Sequence, residues 1–571
     1  MAKRRPAAKK KRTIRRFDPI DLEVLWNRLV TLVDEAAYAV IRTSMSKVVV
    51  EGRDFGVMLY DAGGNLLAAD ASIASKPGVT SVAVKALLTL FAPEDLKPGD
   101  VIVSNDPWWF MGHLNDIGVV APLFHEGRLV GFVESMAHMA DIGGSLSGVP
   151  REVYEEGLII PPLKAVEDGR ENATFFAMLE ANVRVPEQVA SDVRALITGL
   201  HVMQEKMSDF LRHHGLPDLM DLSAAIQERS EAAMRRGIRD NIPDGVYRGR
   251  SSVDGFDGHP LGIEVTITVR DGSMLIDYAG SAAQSPYGIN STLVYTNVWS
   301  LYAVKCVTCP EVPNNHGTFA PVTVTAPEGS LLNPVFPAPV KMKPSTGHYL
   351  PIAILDALKD VIPDRILAES GNKSLVYLAG RNDDGRAFSD LIFVMGGMGA
   401  RARKDGLHTI GFPANSSNVP VEVLERSMPV RVREKGLRTD SGGAGRLRGG
   451  CGQFIEFESL SPYPLTVRAE HGKLDTAPTG LRGGLPGAAG GHYLNGERVA
   501  DKVPVLLARG DVMRLEIPGS GGAYPPDERD PHALARDIDD DLVSPAAARK
   551  LYGMGRGATA PRATKARGRK S

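Results

Sequence analysis

A histidine and an aspartate stand three residues apart in the segment GHLNDIG, which spans residues 112–118 and has glycine at both ends. Imidazole nitrogens and carboxylate oxygens are common ligands of Zn²⁺, Mn²⁺ and Fe²⁺. The same spacing is also typical of a polar corner, where Asp116 would accept backbone N–H groups at a turn and His113 would face solvent. A metal site therefore requires further ligands at this corner.

The residues that follow predict that another ligand reaches it. Apolar runs at 117–124 and 129–138 flank the segment HEGR, a pattern that indicates a β-hairpin with its turn centred near Glu126–Gly127. Antiparallel pairing from that turn places His138 opposite a residue near position 115 and Asp116 opposite a residue near position 137. His138 and Asp116 are therefore expected to lie within about one residue of each other.

The open end of this hairpin thus gathers His113, Asp116 and His138, a set that suits a divalent metal with positions left for water or substrate. A further ligand would have to come from elsewhere in the chain, and the segment VEGRDFG is the natural source. It offers Asp54 at the start of a predicted strand and Glu51 just upstream, and the residues alone do not separate the two.

The surrounding elements predict an α+β fold. Helical periodicity is present near 21–47, 79–92, 172–181, 186–213, 217–240, 290–308 and 348–361. Residues 48–70 predict a strand, a turn at DAGGN and a returning strand, and 101–104 and the hairpin are further strand-like runs. From about 420 to 520 the chain reads as short strands with glycine-rich turns. The expected organisation is a basic disordered tail at 1–16, an α/β metal-binding domain at 17–242, a central α+β domain at 243–415, a β-rich domain at 416–522 and a largely disordered basic tail at 523–571.

Composition narrows the class of protein further. The chain has 571 residues with a net charge of −2, but nine Lys or Arg fall in the first 16 residues, which leaves the rest acidic. A solubilising tail is preferred over a nucleic-acid arm, because the body is acidic and carries no recognised nucleic-acid module. No apolar run could span a membrane and no secretory signal follows the basic start, so a cytoplasmic location is expected.

Two other motifs have simple explanations. The sequence CVTC at 306–309 stands alone in an apolar run, which favours two buried thiols on one helix face over a metal or redox site. The stretch SGGAGRLRGG at 441–450 could form an anion nest beside Arg446 and Arg448, but a glycine-rich turn between strands is preferred.

Longer segments resemble a known family. They are, in chain order, VVEGRDFGVMLYDAGGNLLA, NDPWWFMGHLNDIGVVAPLF, GFVESMAHMADIGG, EVYEEGLIIPPLK, NNHGTFAPVTVTAPEGSLLNPVFPAPV, LRTDSGGAGRLRGGCG and PTGLRGGLPG. These segments resemble the hydantoinase B/5-oxoprolinase family, and the likeness runs from roughly residue 18 to 520. That family includes the B subunits of ATP-dependent hydantoinases and lactamases, and related subunits of acetone and acetophenone carboxylases.

The resemblance implies a large α/β subunit with one divalent metal, Zn, Mn or Fe, held by Asp54, His113, Asp116 and His138. It also implies a hetero-oligomer with an ATPase-type hydantoinase A subunit, which uses ATP to phosphorylate the substrate. A metal-bound water would then open an activated cyclic amide or imide such as a hydantoin or 5-oxoproline. The alternatives are a ketone carboxylase subunit and a non-catalytic assembly protein of the same fold.

Some positions depart from the family pattern. Met139 stands where the family often has a second histidine, and Trp108, Trp109 and Phe110 replace the usual tyrosine and glycines. These changes are expected to reshape the substrate pocket. Asp141 is a candidate for supporting the ligands or transferring a proton, although it could equally form an Asx turn before the two following glycines.

Overall fold

The protein is described here by a computed structural model that covers residues 16–70, 80–414 and 416–554. The predicted tail at 1–16 thus lies outside the described residues, apart from Arg16. The helices of four or more residues in the described part are α1 (Pro19–Thr43), α2 (Lys47–Val50), α3 (Thr80–Leu90), α4 (Ala173–Asn182), α5 (Pro186–His213), α6 (Met220–Asn241), α7 (Leu293–Thr308), α8 (His316–Phe319), α9 (Pro344–Gly347), α10 (Leu350–Leu358), α11 (Val421–Ser427), α12 (Pro531–Asp539) and α13 (Pro545–Leu551).

The strands form four separate sheets, so the expected α+β class is confirmed. The first sheet contains β1 (Phe55–Asp61), β2 (Leu66–Ala69), β3 (Val101–Ser104), β4 (Asp116–His125), β5 (Arg128–His138), β6 (Leu163–Glu167) and β7 (Arg170–Glu171). Its order is β2-β1-β5-β4-β3-β6-β7, with every neighbouring pair antiparallel. The hairpin that carries Asp116 and His138 therefore lies in the middle of this sheet.

Both faces of the first sheet are buried. Along β1, Val57 and Leu59 belong to one apolar core with α1 and α5, whereas Met58 and Tyr60 belong to a second core with α7 and α10. Successive strand side chains point to opposite faces, which assigns neighbouring residues to different cores. Burial on both faces explains why these strands read as continuous apolar runs in the sequence.

The remaining strands build three sheets. They are β8 (Gly245–Asp254), β9 (Pro260–Arg270), β10 (Ser273–Asp277), β11 (Val322–Thr325), β12 (Lys373–Arg381), β13 (Ala387–Met395), β14 (Val430–Leu437), β15 (Gln453–Ser459), β16 (Leu465–Glu470), β17 (Gly491–Leu494), β18 (Glu497–Val499), β19 (Val505–Leu507) and β20 (Val512–Glu516). The sheet orders are β11-β10-β9-β8, β13-β12-β16-β19 and β14-β15-β20-β17-β18. Because β12 pairs with β16, one sheet crosses the boundary predicted near residue 415.

The beginning of the strand predicted from residue 48 is wrong, because Lys47–Val50 form one helical turn. Three consecutive valines are typical of a strand, but tertiary contacts override that preference here. Lys47 forms an ion pair with Asp390, Nζ to Oδ2 at 2.6 Å, and the N–H groups of Glu51 and Gly52 both donate to the Lys47 carbonyl. The first strand of the sheet therefore begins only at Phe55.

Part of the predicted C-terminal tail is folded, which corrects the expectation for residues 523–554. Helices α12 and α13 pack through Leu534 and Ala548 in a small apolar cluster. Arg529 is buried and donates to Asp405 and Asp537, with all four N–O distances between 2.5 and 2.9 Å. These paired charges hold the segment against the body of the protein.

The glycine-rich stretch at 441–450 lies in a region where backbones pack directly against each other. A Cβ added at Gly450 would lie 1.9 Å from the Leu407 carbonyl oxygen, and one at Gly519 would lie 1.8 Å from that of Ser441. Arg446 and Arg448 form ion pairs with Glu528 and Asp537. These contacts support the interpretation as a glycine-rich turn.

Candidate metal centre

The β4–β5 hairpin brings two predicted ligands directly opposite each other. Its turn residues Glu126 and Gly127 both have left-handed φ angles, 48° and 74°, as a tight hairpin turn requires. Asp116 pairs with His138, one position away from the register expected from the turn alone. Pairing shifts between Leu123 and Phe124, which face Gly131 and Leu129, so Val130 is an extra residue. This bulge accounts for the one-residue difference.

The two glycines of GHLNDIG are there for close packing. Gly112 has φ +83°, and an added Cβ would lie 2.9 Å from Thr292 Oγ1 and 3.2 Å from the Lys343 side chain. At Gly118 a Cβ would lie only 2.5 Å from the buried ring of Phe110. The first glycine therefore admits Lys343 to the site, and the second lets an aromatic ring cover the strand behind Asp116.

His113, Asp116 and His138 form one buried cluster. Their ligand atoms lie within 4.8 Å of one another, and each residue is at most 4% exposed. His113 Nε2 lies 3.0 Å from Asp116 Oδ2, and His138 Nδ1 lies 3.2 Å from Asp116 Oδ1. The carboxylate thus bridges two imidazoles, as predicted from the hairpin.

The protonation of His113 favours a cation at this point. Its Nδ1 lies 3.1 Å from the carbonyl oxygen of Lys341, an acceptor, so Nδ1 carries the proton. Burial, helped by the charge of Lys343, lowers the pKa of His113 to about 4, so the ring is neutral at pH 7 and Nε2 presents a lone pair. That lone pair faces a carboxylate oxygen of Asp116, and two acceptors at 3.0 Å repel each other unless a positive charge lies near both.

The hydrogen bonding of the two imidazole rings also supports a cation at this point. Within the described part of the chain, neither His113 Nε2 nor His138 Nε2 has a hydrogen-bond partner, although both atoms are buried. Buried polar atoms are normally paired, so two unpaired imidazole nitrogens in one cluster fit a site that can coordinate a cation. The donor set of two imidazoles and a carboxylate therefore fits a divalent transition metal.

Lys343 supplies the positive charge that the cluster has in the protein alone. The residue is 2% exposed, and its Nζ lies 3.0 Å from Asp116 Oδ2 and 4.3 Å from the centre of the Tyr295 ring. Although burial alone would raise it, the pKa of Asp116 is held well below its usual value, with the charge of Lys343 as the largest cause. Asp116 is therefore an anion available to a metal at neutral pH.

Asp54 lies where the hairpin ends. Strand β1 pairs with β5, Phe55 opposite Ala137, and the His138 N–H donates to the Asp54 carbonyl at 3.0 Å. Asp54 lines the same cavity of about 40 Å³ as the three clustered residues, but it is not part of the group whose ligand atoms meet within 4.8 Å. Its role as the fourth ligand remains a prediction.

Asp141 lies on another cavity. It lines a space of about 30 Å³ together with Asn115, Lys341 and Tyr377. Its Oδ1 accepts a hydrogen bond from the Arg184 guanidinium at 2.7 Å, and its Oδ2 accepts the Arg184 N–H at 2.6 Å. These contacts favour a role in fixing the chain after the hairpin over one in proton transfer.

The residues that depart from the family pattern do not line the cavity beside the cluster. Met139, which directly follows β5, is fully buried in the core on the α1–α5 side of the sheet. Phe110 covers Gly118, and Trp108 packs edge-on against Phe336 at 5.3 Å. Neither these residues nor Trp109 is among those that line the cavity in the described part, so they do not shape it directly.

Four titratable residues of the lining were missed in the sequence: Tyr295 of α7, Lys343 and His348 beside α9, and Lys373 at the start of β12. His348 is fully buried, and burial lowers its pKa well below the usual value, with Lys373 and Lys343 adding to the effect. Isolated lysines in the apolar segments PAPVKMKP and GNKSLVY were the signal that could have identified two of the four.

The two cysteines of the CVTC motif differ in their exposure. Cys309 is buried at the end of α7, but Cys306 is exposed, so the prediction of two buried thiols is wrong for Cys306.

Within the described residues, no helix is both long and apolar enough to cross a membrane.

Comparison with known proteins agrees with the resemblance seen in the motifs. The family model for hydantoinase B/oxoprolinase matches residues 18–526. The putative B subunit of a D-/L-hydantoinase from Pseudomonas sp. strain NS671 is 28% identical, over 95% of this chain and 96% of its own length. The beta subunit of the caprolactamase of Pseudomonas jessenii is 30% identical, over 94% and 96%.

Solved structures share the fold. The ATP-dependent caprolactamase of Pseudomonas jessenii matches with a TM-score of 0.87 and 26% identity, covering 95% of this chain and 98% of that one. A nucleotide-free acetone carboxylase matches with a TM-score of 0.86 at 19% identity, covering 94% and 79%, which is a likeness of fold alone. Because the family model and these relatives extend over nearly the whole chain, the protein belongs to the hydantoinase B/oxoprolinase family.

Proposed function

We propose that this chain is the metal-carrying subunit of an ATP-dependent cyclic amide or imide hydrolase that works with an ATPase-type A subunit. The observation that carries the proposal is the buried contact of His113 Nε2 and His138 Nδ1 with the Asp116 carboxylate, at 3.0 and 3.2 Å. Relatives named as the B subunit of a hydantoinase and the beta subunit of a caprolactamase support the substrate class and the hetero-oligomer.

The residues of the site would each have a separate task. His113, Asp116 and His138, with Asp54, would hold one divalent ion, Zn²⁺, Mn²⁺ or Fe²⁺. When bound, such an ion supplies a Lewis acid and lowers the pKa of water. The Lys341 carbonyl fixes the proton of His113 on Nδ1 and so turns Nε2 towards the site.

Charge and burial prepare the same site for reaction. Lys343 keeps Asp116 ionised and holds its Oδ2 in place at 3.0 Å. The low exposure of all three clustered residues limits the water that reaches the cavity, which strengthens electrostatic interactions with a reacting group. The substrate would arrive with its carbonyl oxygen phosphorylated by the partner, so that this chain completes the opening of the ring.

Elemental analysis tests the metal assignment. The purified protein should hold about one divalent metal per chain, and His113→Ala and His138→Ala should both lose it. His125→Ala is the matched control, because His125 lies on β4 like Asp116 but at the opposite end of the strand. Full metal content in both site variants would refute the assignment, and a wild-type protein without metal would favour a non-catalytic assembly role.

Reconstitution with the A subunit tests the reaction. ADP formation that depends on a hydantoin, 5-oxoproline or another lactam, with release of the ring-opened product, is the expected result. ADP formation that depends on bicarbonate and a ketone would instead identify a carboxylase and overturn the hydrolase proposal.

A further inference from the structure

The cavity beside the three clustered residues is lined by two lysines. Lys343 and Lys373 both line it, and both are nearly fully buried, with 2% and 6% exposure. Two lysines on one buried cavity of about 40 Å³ are unusual, since burial of an ammonium group is costly without compensation. The two residues differ in what they contact.

Lys343 is committed to the carboxylate of the cluster. Its Nζ lies 3.0 Å from Asp116 Oδ2 and also contacts the carbonyl of Met111. Its stem passes Gly112, where a Cβ would lie 3.2 Å from Lys343 Cδ. Its position is therefore fixed by the same backbone that presents His113.

Lys373 approaches from a different element. It is the first residue of β12, and its ammonium group contacts the hydroxyl of Ser416 and lies 4.1 Å from the centre of the Phe393 ring. Its charge extends to the cavity, because it is a cause, after burial, of the lowered pKa of His348. Lys373 is thus a second positive charge at the site, carried by a different sheet from the hairpin.

The charges around the cavity balance only without a metal. The lining contains two aspartates, Asp54 and Asp116, and two lysines, Lys343 and Lys373, whose formal charges cancel when the histidines are neutral. A divalent ion would leave two positive charges in excess inside a largely buried site. Buried charge requires a counter-charge, so the loaded cavity is matched to a ligand with two negative charges.

We propose that Lys373 anchors a dianionic phosphoryl group beside the clustered histidines and aspartate, so that the substrate is recognised through the charge it carries. The proposal rests on the proposed function, because the excess charge arises only when the site holds a metal. An ammonium group is a common point-charge partner for phosphoryl oxygens. Lys343 is the less suitable anchor because it already neutralises Asp116.

Binding of phosphate tests this role without any enzyme assay. Protein loaded with its metal and freed of excess ion would be titrated with inorganic phosphate and, separately, with phenyl phosphate by isothermal titration calorimetry. We expect binding to the loaded form and not to the metal-free form. Binding of both probes would indicate a phosphoryl group still attached to the substrate, and binding of inorganic phosphate alone would indicate the released product.

Variants separate Lys373 from the metal ligands. Lys373→Met should weaken phosphate binding by roughly tenfold or more while the metal content stays at one per chain. Lys373→Arg should retain most of the affinity, which also covers the case in which Lys373→Met fails to fold. Lys435→Met is the matched control, because Lys435 is a partly buried lysine on β14, outside the cavity lining.

The outcomes also distinguish this proposal from the proposed function. Metal-loaded Lys373→Met that binds phosphate as tightly as the wild type would overturn the role of Lys373 and leave the metal site intact. Equal binding to the metal-free protein would refute the charge argument. A wild-type protein that holds no metal would defeat both proposals.

Discussion

Replacing Gly118 by alanine tests how tightly the hairpin is packed behind the candidate metal centre. The added Cβ would lie 2.5 Å from Cε1 and 2.7 Å from Cδ1 of Phe110, a ring that is only 1% exposed. Carbon atoms at rest are about 3.5–4.0 Å apart, so the ring must move by roughly 1 Å. Overpacking of this kind in a core costs about 1–3 kcal/mol. That cost exceeds the roughly 0.5–1 kcal/mol by which alanine stabilises a protein relative to glycine, because alanine lowers the conformational entropy of the unfolded chain.

Gly262→Ala provides the matched control. Gly262 also lies inside a strand, β9, but an added Cβ there would meet no atom within 4 Å. We therefore expect Gly118→Ala to lower the apparent free energy of unfolding in urea by about 1–2 kcal/mol, and Gly262→Ala to leave it unchanged or slightly raised. Tryptophan fluorescence can follow the transition, because Trp108 and Trp109 are close neighbours of Phe110 in the chain.

A double-mutant cycle isolates the clash itself. Phe110→Ala alone should cost about 3–5 kcal/mol because it leaves a cavity, but in that background Gly118→Ala should become harmless. The two changes should therefore be non-additive by at least about 1 kcal/mol. Equal stabilities of Gly118→Ala and Gly262→Ala, or strict additivity with Phe110→Ala, would refute the packing argument.

Three further predictions concern other parts of the chain. Arg529→Met removes the ion pairs of the buried guanidinium with Asp405 and Asp537 and should release the C-terminal helices to limited proteolysis, whereas the exposed Arg403→Met should not. Burial lowers the pKa of His492 to about 3, so the unfolded state binds more protons than the folded state between pH 6.5 and 3. In that range the contribution of His492 lowers the stability by roughly 1.4 kcal/mol for each unit by which the pH falls. His492→Gln should therefore make the dependence of stability on pH, measured by thermal unfolding, shallower. Asp141→Asn should lower the melting temperature by loosening Arg184 while leaving the metal content unchanged, and loss of metal would favour a closer role.

The sequence allowed prediction of the part of the site that local rules determine. The HEGR turn and the two apolar runs predicted that His138 meets Asp116, and the structure pairs them directly. The one-residue difference comes from the bulge at Val130, which no turn rule indicates. Hairpin pairing therefore identified Asp116 and His138 as partners, and the bulge shifted their register by one residue.

The lysines of the cavity could not be predicted in the same way. Lys343 contacts a residue 227 positions earlier, and Lys373 enters from a strand of another sheet. Such contacts depend on how separate elements pack, for which neither helical nor strand periodicity carries a signal. The prediction of a strand from residue 48 failed for a related reason, because the ion pair of Lys47 with Asp390, which accompanies the helical turn at 47–50, spans 343 positions.

The turn of the hairpin also provides an attachment point for a fluorophore or an immobilisation tag. Its turn is exposed at Glu126 and Gly127, and a Cβ at Gly127 would meet nothing within 4 Å. Because β4 runs ten residues from Asp116 to His125, the turn lies roughly 30 Å along the strand from the candidate metal centre. A fluorophore or an immobilisation tag at this turn would be rigidly connected to the site and yet too distant to disturb it, so assembly with a partner could be followed in real time.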